Sequence, residues 1–310
     1  DQFEKIYDPV SHIKVDKANN VWIRIKEKWS ILNTQTGELN TPNYDGKAAG
    51  GVNTAFCIYN NDLYTFIGQK VYRFNYAKNE FVFCLTLPDS DGNIRFARAY
   101  MGKLWIFVNN SGLYKIDMST FKIEGHYTLL TDYEGNSLRT FYIDKKGYIW
   151  FGTIDGIYIF DPTDGKLSHY KHSRTDPFSL PNNSIWEISE DRQSNVWIGT
   201  YSGTLCYVNI DENNAFKTYH PQNSGLNHTP VSAFAEDQQY LWVGTEGGGI
   251  NRMNKATGEF SYITSANSIT SNNIKSLITD AGHNLWISTF MGGLDLYNVG
   301  RQKVTNFKHT

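Results

Sequence analysis

The chain has only three cysteines in 310 residues. Cys57, Cys84 and Cys206 sit in apolar surroundings without metal-type spacing, so they read as buried strand residues and say little about redox compartment. No apolar run is long enough for a membrane-spanning helix, and no signal-peptide pattern opens the chain. It begins on a charged segment, Asp1 to Lys5, which suggests a fragment of a longer protein. Net charge is only −2, so bulk charge argues against nucleic acid as a partner. The eight histidines are scattered. His169 and His172 are close, but no third metal ligand accompanies them, and no cofactor is expected. Helical periodicity is absent too, which weighs against a helical solenoid.

Aromatics are plentiful. They make up 15% of residues within a 40% hydrophobic total, alongside 26 glycines. That mixture excludes a disordered chain and suits short strands joined by tight turns. A repeat organises it. Val196-Trp197-Ile-Gly-Thr200, Leu241-Trp242-Val-Gly-Thr245, Leu285-Trp286-Ile-Ser-Thr289 and Ile149-Trp150-Phe-Gly-Thr153 are its clearest copies. Weaker copies centre on Trp105 and Trp22, and Tyr64 takes the slot in a seventh. Anchors at 22, 64, 105, 150, 197, 242 and 286 recur every 41 to 47 residues. Each copy holds a short apolar strand, a polar turn, the anchor strand, a Gly-rich turn, a third strand and an aromatic fourth strand. Four antiparallel strands in this period predict an all-β, seven-bladed β-propeller occupying residues 1–310 as a single domain. The anchor is expected to wedge between blades, and the Gly-Thr after it to cap its strand. Phe3–Tyr7 and Val304–Phe307 both resemble fourth strands, so one terminal strand is expected to close the ring beside strands from the other end. The segment Asp45 to Val52 reads as an insertion, which makes the first two blades the least regular.

The Trp-Ile-Gly-Thr and Gly-Gly-Leu pattern resembles the two-component regulator propeller repeat. The connectors Asp176–Ile185 and Ile269–Ile274 are similar to that family's inter-blade loops. The match is good over 138–298 and loose over 11–117. The resemblance implies a periplasmic sensor region of a Bacteroides-type hybrid two-component system that recognises an oligosaccharide. It also implies flanking sensor domains in the same chain, and leaves a homodimer of the full-length sensor open. A kinase would lie outside these residues, so the fragment is expected to be no enzyme, to bind no nucleic acid and to make no membrane contact.

Propellers bind ligands at the end of the central channel. The turns after the anchor strands carry Asn109-Asn110, Ile154-Asp155, Tyr201-Ser202, Glu246-Gly247 and Phe290-Met291, and blade-to-blade loops carry Tyr44, Asp176, Asn183, Asn227 and Asn272. About eleven residues before each anchor stand Ser11, Asn53, Arg95 (or Ile94, given a one-residue gap), Arg139, Trp186, Val231 and Lys275. The candidate ligand site is therefore Arg95, Arg139, Trp186, Tyr201, Glu246, Lys275 and Phe290. Aromatic faces beside polar groups suit a sugar. The cations Arg95, Arg139 and Lys275 point further, to an acidic or sulfated saccharide, unless nearby carboxylates neutralise them. Two other functions compete. A sialidase-, lyase- or glycosidase-type enzyme would need clustered arginines with a Tyr–Glu pair, a metal-bound histidine or a carboxylate pair. A rigid protein-interaction scaffold would show a large apolar face.

Overall fold

The computed structural model describes residues 10–16, 18–25, 28–34, 36, 38–45, 53–59, 62–88, 92–130, 138–176, 178–201, 205–209 and 213–307. They form an all-β, seven-bladed propeller. Six blades are four-stranded antiparallel sheets, and blade 2 has a fifth, short strand, Asn43–Tyr44, parallel to its outer edge. The inner strands are Val10–Val15, Asn53–Tyr59, Ile94–Tyr100, Thr140–Ile143, Ile185–Glu190, Val231–Glu236 and Ile274–Thr279, in blades 1 to 7. Residues from all seven line one central channel. Blade 1 ends on a two-residue strand, Leu39–Asn40. With the extra strand of blade 2, this bears out the expected irregularity of the first two blades. Residues 46–52 of the expected insertion lie outside the described residues.

The anchors make the ring. Each lies in the second strand of its blade and is at most 4% exposed. Each packs into the following blade. Tyr64 joins the inner residues of blade 3, and Trp105 meets Phe141 and Phe151 of blade 4. Trp150 meets Ile185 and Ile188 of blade 5, and Trp197 meets Val231 and Val243 of blade 6. Trp242 meets Ile274 and Ile287 of blade 7, and Trp22 meets Phe56 and Phe74 of blade 2. Seven apolar seams result, which is why anchor strands such as Ile149–Thr153 are buried on both faces.

Two further features of the repeat act locally. The turn before the anchor supplies a carboxylate that accepts the indole N–H, in Asp16–Trp22 (2.9 Å), Asp144–Trp150 (2.8 Å), Asp191–Trp197 (2.8 Å), Asp237–Trp242 (2.9 Å) and Asp280–Trp286 (3.0 Å). The same carboxylate gathers turn N–H groups, as Asp191 does from Gln193 and Asn195. A bulky indole is thus buried with its polar atom satisfied. The threonine of Gly-Thr closes the next hairpin, since Thr153 and Thr245 each donate to the carbonyl of the glycine opening the third strand (2.9 Å both). That glycine, Gly156 or Gly249, has a φ of 103° or 72°, which a side chain disfavours.

Of the two terminal candidates for ring closure, the described residues include only the second. Lys303–Phe307 pairs with Gly293–Asn298 of its own blade, which gives blade 7 four strands among the described residues. Blade 7 meets blade 1 through side chains: Trp286, Leu294 and Phe307 pack with Ile13, Val21, Ile23 and Leu32. Phe3–Tyr7 lies outside the described residues.

Candidate functional site

The inner strands begin at one end of the channel, and the turns after the anchor strands rise at that same end. Most inner strands start with a β-bulge. Register shifts occur at Val10/His12, Asn53/Phe56, Ile94/Phe96, Ile185/Glu187, Val231/Ala233 and Ile274/Ser276. The extra residue re-aims one side chain at the channel mouth. Arg95, Trp186 and Lys275 occupy that bulge position, and Arg139 stands at the equivalent place, one residue before its inner strand. In blade 6 the bulge residue is Ser232. Val231, aligned to the mouth from sequence, is instead fully buried in the seam with blade 5. The side chains of Ser11 and Asn53, and all of Ser202, lie outside the described part.

The predicted site residues fall into two platforms and one separate cation. In the first, Trp186 and Tyr201 stack at 5.3 Å between ring centroids. The Arg139 guanidinium lies over both, 4.8 Å from the Trp186 ring and 5.8 Å from that of Tyr201, and donates to Ser184 Oγ at 3.0 Å. In the second, the Lys275 ammonium is 5.3 Å from the Phe290 ring and forms a close ion pair with Glu246. Lys275 is therefore neutralised by a carboxylate, whereas Arg139 is held by aromatics and a hydroxyl. Arg95 lines the channel and pairs with no carboxylate among the described residues; burial lowers its pKa. Tyr201 and Phe290 are half-exposed, and Met291 beside Phe290 is more open still.

Of the loop residues, Tyr44 leaves the mouth altogether, buried against Phe81 and Tyr72 at the edge of blade 2. Asp176, Asn183 and Asn272 accept backbone N–H bonds within or between their own loops. Asn227 donates to the Gly248 carbonyl. These four are engaged in holding the loops.

Sequence reasoning missed the deeper lining of the channel. Lys14, Arg98 and Glu187 converge there from blades 1, 3 and 5, with His12 nearby. Arg98 donates to the Phe141 carbonyl at 3.1 Å. Burial first, then the adjacent Arg98, lowers the Lys14 pKa to about 8, opposed by Glu187 and Cys57. Burial raises the Glu187 carboxyl, opposed by Arg98 and Lys14. The available signal was period-two alternation with the bulge allowed for: one extra residue lets Arg95 and Arg98 face the channel from one strand.

His12 yields a prediction. Its side chain is exposed to channel water, yet desolvation by the surrounding channel walls, then Arg24 and Lys14, lower its pKa from 6.5 to about 4. The unfolded chain therefore binds the extra proton between pH 6.5 and 4 while the folded one does not. Stability should fall as pH drops through this window, though contact with channel water screens the effect. Melting temperatures from pH 7 to 4.5 should fall less steeply for His12→Gln than for the parent. Identical slopes would remove His12 as a source.

The model of the two-component regulator propeller family matches residues 132–155 and 179–202, the anchor hairpin of blade 4 and that of blade 5 with its preceding connector. A histidine kinase of Formosa agariphila is 26% identical over 263 residues, 78% of this chain but 18% of that protein. The extracellular domain of a B. thetaiotaomicron protein described as a one component system superposes with a TM-score of 0.71 at 22% identity, over 95% of this chain and 40% of that one. Another from that organism, described as a hybrid two component system, gives 0.52 at 19% identity, over 97% of this chain and 46% of that one. The chain thus spans under half the length of these relatives, and the solved structures show likeness of fold. The chain is thus a seven-bladed propeller in which the two-component regulator propeller repeat is matched in blades 4 and 5 and the anchor slot is filled in all seven blades.

Proposed function

We propose that this chain is the periplasmic ligand-sensing propeller of a hybrid two-component sensor histidine kinase, and that it recognises an oligosaccharide at the channel mouth. One observation carries the reading: the Arg139–Trp186–Tyr201 stack and the Glu246–Lys275–Phe290 cluster border the same opening. An exposed ring offers a face to the apolar side of a sugar, and the cation and carboxylate beside it offer hydrogen bonds to hydroxyls. Similarity to extracellular sensor domains supports a location outside the cytoplasm. In this reading flanking domains of the same chain, and a partner copy in the full-length sensor, transmit occupancy to a kinase elsewhere in the protein.

A glycan-library thermal-shift screen tests the reading, because a ligand that binds only the folded state raises the melting temperature. Tyr201→Ala should weaken a hit about tenfold, on the order of one lost stacking platform, with the unliganded melting temperature unchanged within about 2 °C. A hit whose affinity is indifferent to both Tyr201→Ala and Phe290→Ala would place the site elsewhere. A scaffold role also has an observation behind it, since Ile154, Tyr201, Phe290 and Met291 expose apolar surface on this face. Binding of a flanking sensor domain abolished by Met291→Glu would favour that role.

A further inference from the structure

The central channel carries a charge opposite to that of the chain. Among the described residues five cations line it, Lys14, Arg95, Arg98, Arg139 and Lys275, against one carboxylate, Glu187. Glu246 at the rim answers Lys275. An excess of positive charge therefore remains inside a protein whose net charge is −2. The cations stand at two levels. Arg95, Arg139 and Lys275 are at the mouth, while Lys14 and Arg98 lie deeper, opposite the anchors Trp22 and Trp105. Three residues of extended chain separate Arg95 from Arg98, a span of about 10 Å along the channel. The cavity measures about 390 Å³, within the range of small-ligand sites.

Structural work accounts for only part of this charge. Arg98 supports the Phe141 carbonyl, Arg139 bonds Ser184, and Lys275 holds Glu246. Arg95 has no carboxylate partner among the described residues, and Lys14 has Glu187 only in competition with Arg98. Like charges crowded in a narrow, partly desolvated channel repel and destabilise the unliganded fold. An anion between them removes that repulsion and accepts charge-assisted hydrogen bonds. The lowered pKa of Lys14 fits the same crowding.

We infer that the channel is an anion site that takes the acidic end of the ligand: a saccharide carrying at least one carboxylate or sulfate, inserted past the aromatic mouth so that Arg95 and the Lys14–Arg98 level contact its charge. The inference rests on the reading of the mouth as the ligand site and adds the ligand's charge and direction of entry.

Calorimetry on the whole chain with three probes tests it: a uronic-acid disaccharide, its carboxyl-reduced neutral counterpart, and glutarate as a dicarboxylate without a sugar. The acidic disaccharide should bind at least tenfold tighter than the neutral one. Its affinity should fall as salt rises from 50 to 300 mM and drop about tenfold in Arg95→Ala, whose side chain holds no described carboxylate. Arg98→Lys keeps the charge in place and should lose less than Arg98→Ala. Circular dichroism melts identify any variant that fails to fold, and Arg95→Ala then carries the test alone. Equal binding of the acidic and neutral disaccharides, or no loss in Arg95→Ala, overturns the anion site while leaving a saccharide sensor standing. Glutarate binding through Arg95 without saccharide binding upholds the anion site and removes the saccharide reading. Silence from all three probes overturns the inference.

Discussion

Trp150→Ala is expected to cost about 3–5 kcal/mol of folding stability, the range for truncating a fully buried large aromatic. The indole is 1% exposed and fills the seam where blade 4 meets Leu180, Ile185, Ile188 and Val196. No neighbour can collapse into the gap, because both walls are sheets fixed by their own ladders. Truncation also deprives the fully buried Asp144 of the indole donor at 2.8 Å. Burial raises the pKa of that carboxyl, and the hydrogen bonds from Trp150 and the turn N–H groups oppose the rise. Trp150→Phe separates the two contributions. It keeps most of the wedge and loses the hydrogen bond, so it should cost about 1–3 kcal/mol. Urea midpoints for the parent and both variants make the measurement. A Trp150→Ala midpoint matching the parent's would mean that the anchor does not hold the seam.

Gly199→Val should cost about 3 kcal/mol, at the upper end of the usual overpacking range. The glycine lies in an anchor strand with an ordinary backbone conformation, so φ is not the issue. A Cβ there would stand 2.7 Å from Val231 Cγ1 and 2.9 Å from the Val231 carbonyl oxygen of the next blade. Backbone cannot rotate away as a side chain can, so accommodating a branched residue means parting blades 5 and 6. Strand propensity predicts the opposite sign, because valine is the better strand former. The direction of the change in melting temperature therefore decides between the two effects. Gly300→Ala, with nothing nearer than Asn298 Oδ1 at 3.8 Å, should stay within about 0.5 kcal/mol and serves as the control.

These two positions show what was legible in the chain. Trp150 and Gly199 belong to a repeat whose period, polar turn and anchor are written in consecutive residues. The blade count follows from them, as does the mouth position of Arg139, Trp186, Tyr201, Lys275 and Phe290. The mouth alignment failed at Val231, by one residue, because sequence spacing does not show which residue a bulge displaces; Ser232 takes the place.

Sequence by itself determined the fold class, the number of blades and the end of the channel where candidate residues gather, because each repeat unit encodes its own hairpins and its own buried wedge. Tertiary structure decided the rest. Lys275 and Glu246 pair across two blades, Trp186 and Tyr201 stack under Arg139, and Lys14, Arg98 and Glu187 meet from blades 1, 3 and 5. The final seam joins the first and last blades through the packing of Trp286 against Ile13 and its neighbours. Such contacts depend on how far each blade is rotated about the axis and on where bulges fall. Both are set by packing between residues tens to hundreds of positions apart, which no local pattern records.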